Sequence, residues 1–404
     1  MTAADLVVRG IGELVTCDSD RGEAPGVIRG GALVSRAGVL TYVGSEAGMP
    51  RPAAALEIDV RGAAVLPGFV DAHTHAVWMG DRGEEYAMRA AGATYEQIAA
   101  AGGGIRSTVR ATAGVSVDEL VVAARPRLQR MLAAGTTTAE VKSGYGLELA
   151  AELRQLDAAE RLGVETGTPD VFTTYLPLHA APPDDRVAFI DEVLREGIPA
   201  VFGRARFADC FCETGAYTVD ECERFLRAAA SAGLLLKIHT EQLTRTGGAA
   251  LAARLGAVSA DHLERATDAD LAALAAAGVA GVILPGAALT LGGPPPPGRR
   301  LVDAGAVVAI ATDCNPGTSN AESMPLMISL AVALAGLTPA EALLGATAGG
   351  AAALRLDDRG VLRAGKRCDL AILTGTQWLD VAYHLGGEAV AATVQHGEVV
   401  AGAL

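Results

Sequence analysis

Pro67-Gly68-Phe69-Val70-Asp71-Ala72-His73-Thr74-His75 carries a short apolar run straight into two histidines spaced i, i+2. On a strand, that spacing turns both imidazoles to one side. If the strand belongs to a barrel of alternating strands and helices, the pair opens onto its C-terminal face, where enzymes of that fold hold their sites. An isolated His-x-His is a weak signal for a metal, so the surrounding chain has to decide its meaning.

Outward from this stretch, between residue 64 and about residue 356, short β-branched or apolar runs alternate with helical segments, the pattern of a parallel sheet with covering helices. Eight strands are expected, at 65–73, 136–141, 170–176, 205–212, 234–239, 257–262, 281–285 and 306–312. Eight such units close a (β/α)8 barrel of the TIM type. Ser116 with Glu119, Thr218 with Glu221, and Thr338 with Glu341 place a hydroxyl three residues before an acid, the capping-box signal for a helix start. Gly135 and Gly233 follow apolar helical segments and suit left-handed helix ends. The flanks differ. Residues 6–16, 31–43, 55–60, 369–373 and 391–400 alternate like antiparallel strands. The expected architecture is therefore α/β: a barrel domain over 64–356, and a small β-sandwich domain built from 1–63 and 357–404. The proline-rich stretch 292–298 reads as a loop within the barrel.

Composition narrows the function classes. The chain has 404 residues, half of them hydrophobic, and a formal charge of −14 with no run of five or more basic residues. That balance repels phosphate backbones and anionic lipid, so neither nucleic acid nor membrane is an expected partner. Residues 1–16 lack the basic and apolar regions of a signal peptide, which points to the cytoplasm. Six scattered cysteines, without a CxxC pair, read as reduced and buried thiols.

Five of the seven histidines (His73, His75, His179, His239 and His262) fall at or just after the ends of strand candidates. One structural histidine is ordinary; five at equivalent places are not. Asp313, after the last barrel strand, adds a carboxylate able to serve as a ligand or a general base.

The His-x-His after PGFVDAH, the later strand-end histidines and the last-strand aspartate resemble the mononuclear site of the amidohydrolase superfamily. Further strings, in order and spacing, are similar to the imidazolonepropionase family: Gly80-Asp81-Arg82, Gly92-Ala93-Thr94-Tyr95, Glu140-Val141-Lys142-Ser143-Gly144-Tyr145-Gly146, Cys212-Glu213-Thr214-Gly215, Asp261-His262 and Thr312-Asp313-Cys314-Asn315-Pro316-Gly317-Thr318. The resemblance spans nearly the whole chain.

It implies metal-dependent hydrolysis of the cyclic amide of 4-imidazolone-5-propanoate to N-formimino-L-glutamate, a step of histidine degradation. It implies one Zn or Fe per chain, held by His73, His75, His239 and Asp313, and a homodimer. Asp313 and His262 would assist proton transfer. Arg82 would grip the substrate carboxylate, and Tyr95, Tyr145, His179, Gln242, Asn315, Gly317 and Thr318 would contact the small-molecule substrate. At Gln242 the family commonly has an acid; an amide hydrogen-bonds but is no base, which assigns Gln242 to binding. Lys142 admits a carbamylated, metal-bridging role, which the resemblance disfavours relative to an ion pair. Two other readings compete: a deaminase acting on an amino-heterocycle, which Arg82 argues against, and a non-catalytic barrel, which the complete ligand set argues against.

Overall fold

The structure, a computed structural model, describes residues 4–21, 23–93, 97, 101–180 and 185–403. Five strands come first: β1 (Ala4–Val15), β2 (Val27–Arg36), β3 (Val39–Ser45), β4 (Ala54–Asp59) and β5 (Val65–Pro67). The barrel follows as β6 (Phe69–Asp71), β7 (Thr136–Lys142), β8 (Asp170–Leu178), β9 (Phe207–Cys212), β10 (Leu235–Thr240), β11 (Ser259–His262), β12 (Ala280–Ile283) and β13 (Val308–Ile310). The chain ends in β14 (Leu370–Leu373), β15 (Val390–Gln395) and β16 (Glu398–Gly402).

Barrel strands pair in parallel with their sequence neighbours from β6 to β13. The β6/β13 seam is closed beyond the strand ends. Asp313 N donates to His73 O at 3.0 Å and His75 N to Cys314 O at 3.0 Å. Below them, Thr312 donates from its amide (3.1 Å) and hydroxyl (2.6 Å) to the buried Asp71 carboxylate. Helices start where the caps predict, with complete boxes at Ser116, Thr218 and Thr338. A fourth, Thr267 with the shorter Asp270, lies outside the Glu/Gln signal. Gly135 and Gly233 take φ +94° and +88°, as a left-handed helix end requires. Among the described residues no helix is long and apolar enough to cross a membrane.

The termini form a second eight-stranded sheet, ordered β16-β15-β14-β5-β1-β2-β3, with β4 beside β1. Val8, Leu14, Leu33 and Val65 from the N-terminal side share one buried cluster with Ile372 and Val394 from the C-terminal side, so both termini contribute to a single interior. Four expectations change in detail. The 65–73 strand is two: β5 hydrogen-bonds in the terminal sheet and only β6 enters the barrel, with Gly68 between them where a Cβ would collide with Thr137. The 31–43 strand is the hairpin β2–β3, turned at Ala37 (φ 49°) and Gly38 (φ 72°). Residues 391–400 form the hairpin β15–β16, turned at His396 (φ 52°) and Gly397 (φ 79°). Two successive positive φ values are what a tight hairpin matched to strand twist demands. Finally, β4 runs parallel to β1, not antiparallel.

At the N-terminal end of the barrel, Asp170 at the start of β8 ties the two sheets together. It accepts from Arg359 (2.9 Å), Arg367 (2.6 Å) and the Gln395 amide (3.1 Å). Burial opposes its ionisation, but the charge of Arg367 and hydrogen bonds from both arginines outweigh it and hold the carboxyl below its ordinary range.

Candidate active site

The seam that closes the barrel is also where the predicted ligands meet. His73 and His75 follow β6, Asp313 follows β13, and His239 comes from β10; all four are buried. Asp313 Oδ1 lies 3.6 Å from His73 Nε2 and 3.6 Å from His75 Nε2, while His75 and His239 face each other Nε2 to Nε2 at 3.3 Å. Ligands on a tetrahedral ion with bonds of about 2.1 Å sit roughly 3.4 Å apart. Among the described residues His73 Nε2 has no hydrogen-bond partner, a buried nitrogen lone pair aimed at Asp313. Donor spacing and this orphaned atom therefore fit a metal. His262 belongs to the same cluster, its donor atom grouped with those of His73 and His239 within 4.8 Å.

Burial first, and neighbouring positive charge second, hold His73, His75 and His262 well below the usual imidazole range, so each presents a neutral ring. Burial likewise pushes Asp313 up to about 7.

Beneath the ligands is a buried layer of charge. Asp261 Oδ2 is 2.6 Å from His73 Nδ1, and Asp209 Oδ2 is 2.9 Å from His239 Nδ1. The hydrogen bond to Asp261 fixes the His73 tautomer that leaves Nε2 free for a metal. Lys142 Nζ sits 2.7 Å from Glu140 and 2.8 Å from Asp209; Lys237 Nζ sits 3.3 Å from Glu140 and donates to Ala72 O at 3.1 Å. Burial disfavours the Lys142 ammonium, but Asp209, Glu140 and Asp261 more than reverse it and its pKa is raised. A lysine so held has no lone pair to form a carbamate, which leaves the ion-pair reading of Lys142.

Around the mouth, Arg82 is 11% exposed and pairs with Glu85 at 2.8 Å. Its guanidinium lies over Gly317, where a Cβ would collide with it. Gly317 is thus small to admit Arg82. His179 stacks on His75, with centroids 4.8 Å apart, and its Nδ1 donates to Gly144 O at 3.0 Å. Burial lowers His179 to about 3. Tyr145 is buried with its ring facing His75 and His179, and Gln242 is half-buried two residues after β10. Asn315 is engaged within its own loop: its amide donates to Asp313 O (2.6 Å) and Thr318 Oγ1 (2.9 Å), and its oxygen accepts from the Gly317 and Thr318 amides at 2.8 Å. It shapes the loop that carries Gly317 and Thr318. Tyr95 lies outside the described residues.

Sequence reading passed over Glu264. It is buried, both carboxyl oxygens lack a hydrogen-bond partner among the described residues, and Oε2 lies 3.9 Å from His262 Nδ1. Burial pushes it up to about 8. His262 (φ 79°) and Leu263 (φ 72°) precede it in the left-handed region, and Asp313 (φ 50°) and Glu241 (φ 53°) share that conformation. Strain of this kind in residues with side chains concentrates at working sites.

A (β/α)8 barrel with buried histidines and an aspartate converging at its C-terminal mouth defines a metal-dependent hydrolase. Residues 64–400 match the amidohydrolase family. Among curated proteins, the chain is 48% identical to an imidazolonepropionase of Deinococcus radiodurans, over 96% of this chain and 98% of that one. It is 45% identical to the imidazolonepropionase of Symbiobacterium thermophilum, over 99% and 98%. Among solved structures, a zinc-bound adenosine deaminase from Xanthomonas campestris is 21% identical with a TM-score of 0.77, covering 99% of this chain and 93% of that one. A triazine hydrolase variant is 20% identical with a TM-score of 0.73, over 99% and 95%. Those two share the fold. The chain belongs to the amidohydrolase family, and within it to the imidazolonepropionases.

Proposed function

We propose that the chain hydrolyses the cyclic amide C–N bond of 4-imidazolone-5-propanoate, giving N-formimino-L-glutamate in histidine degradation. The observation that carries this reading is the ligand spacing at the barrel seam, in a chain that matches an imidazolonepropionase over 98% of that relative. His73, His75, His239 and Asp313 would hold one Zn or Fe per chain, three imidazoles and a carboxylate being suited to either. When bound, the metal supplies Lewis acidity that makes hydroxide available near neutral pH.

The chain's residues do the rest. Asp313, whose carboxyl sits beside His73 and His75, takes the proton from the attacking water. His262, neutral and buried, assists proton transfer or steadies the developing oxyanion. Arg82, oriented by Glu85, grips the propanoate carboxylate. Tyr145 and His179 flank the ring, Gln242 hydrogen-bonds it, Tyr95 contacts it, and Asn315, Gly317 and Thr318 form the loop beneath. The enzyme is taken to be a cytoplasmic homodimer.

The test is decay of freshly prepared 4-imidazolone-5-propanoate by purified, metal-quantified protein, before and after chelation. Fast, chelator-sensitive decay is expected. Bound metal without turnover would sink the substrate assignment and direct the search to other cyclic amides and amino-heterocycles.

A further inference from the structure

Buried carboxylates are as a rule satisfied, and the neighbours of Glu264 obey the rule. Glu241 accepts from Thr240 Oγ1 (3.0 Å), the Thr246 amide (3.0 Å) and the Gly247 amide (2.9 Å). Glu213 accepts from the Leu243 amide at 2.8 Å and the Thr244 amide at 3.1 Å. These two carboxylates brace loops. Glu264, in the same ring of strand-end loops, has a side chain only 4% exposed and, among the described residues, no donor on either oxygen. Arg265 beside it gives its amide to Glu241 O at 2.7 Å. Two left-handed residues in succession, His262 and Leu263, set its position next to His262. A strained turn that delivers an unpartnered carboxyl beside a reacting group serves the site at the expense of the fold.

We infer that Glu264 contacts the substrate, its carboxyl group hydrogen-bonding a ring nitrogen of the heterocycle beside His262. The inference rests on the ring-opening reading above. It makes Glu264 a specificity determinant: a ring without nitrogen at that position leaves the carboxyl unpaired, the situation that discriminates most strongly between similar ligands.

A buried group kept for function rather than stability has a distinctive signature: removing it stabilises the fold while impairing the reaction. For Glu264→Leu, the metal-loaded full chain is expected to keep its metal, melt higher than wild type, and lose about 10- to 100-fold in kcat/KM, the effect of leaving a buried polar group of the substrate unpaired. Glu264→Gln, which keeps a donor and an acceptor, is expected to restore most of the loss. A lower melting temperature with wild-type kinetics would overturn the inference, as would loss of metal in either variant. Wild type run alongside separates the two claims. Active wild type with an equally active Glu264→Leu overturns the contact and leaves the reaction standing; inert wild type overturns the reaction, and the contact with it.

Discussion

The two ends of the barrel are built on opposite principles. At the N-terminal end, Asp170 is matched by Arg359, Arg367 and Gln395, and the terminal sheet is bolted on through them. At the C-terminal end, among the described residues, buried nitrogens of His73, His75 and His262 and both oxygens of Glu264 have no hydrogen-bond partner, and left-handed residues gather at Glu241, His262, Leu263 and Asp313. One end pairs its carboxylate with two arginines; the other leaves imidazole nitrogens and a carboxyl without partners. The contrast shows where a barrel enzyme secures its stability and where it holds reactive groups ready for a ligand.

Substitutions test this division directly. The largest effect belongs to the mouth: His73→Ala and Asp313→Ala should lose metal and bring turnover to background, measured by metal analysis and assay, and a metal-replete, active His73→Ala would break the ligand assignment. Next, at the opposite end, Arg359→Ala should destabilise the chain by about 2 kcal/mol in urea unfolding while leaving kcat/KM near wild type, because it removes one of the two arginines that hydrogen-bond Asp170. A large kinetic effect there would blur the contrast. Arg82→Ala should leave bound metal intact and lower kcat/KM about 10- to 100-fold; unchanged kinetics would remove Arg82 from carboxylate binding.

Acid titration sharpens the picture from the stable end. The Asp170 carboxyl is held below its ordinary value, so its contribution is present above roughly pH 4 and fades as pH falls through its folded pKa. Stability of Asp170→Asn, followed by unfolding at stepped pH, should therefore fall less steeply with acid than that of wild type. The smallest effect is remote from both ends: Ser116→Ala removes a complete capping box, costs about 1 kcal/mol, and should not change kinetics.

What the sequence disclosed follows the range of its signals. Strand and helix alternation, capping boxes and the histidines at strand ends are local patterns, and all eight barrel strands stand near their expected places. The β5/β6 division escaped because Pro67-Gly68-Phe69 continues an apolar run while the chain changes sheets. The two hairpins escaped because their turns, Ala37-Gly38 and His396-Gly397, interrupt the alternation by only two residues. In the site, Arg82 was named but the reason for Gly317 was not, since the contact joins loops distant in sequence. Glu264 left no trace: lacking a partner is a property of packing, visible only once every neighbour is in place.

The one-residue step from β5 to β6 also sets a timetable. Val65 pairs with Leu14 on one side and Ile372 on the other. During synthesis Leu14 precedes it and Ile372 leaves the ribosome only after the entire barrel, so the strand that leads into His73 and His75 stays one-sided through most of translation. Pairings this distant in sequence form slowly. The first histidines to be made are anchored by one of the last strands to arrive, and a nascent chain stalled before β14 carries its metal-binding pair on an unfinished support.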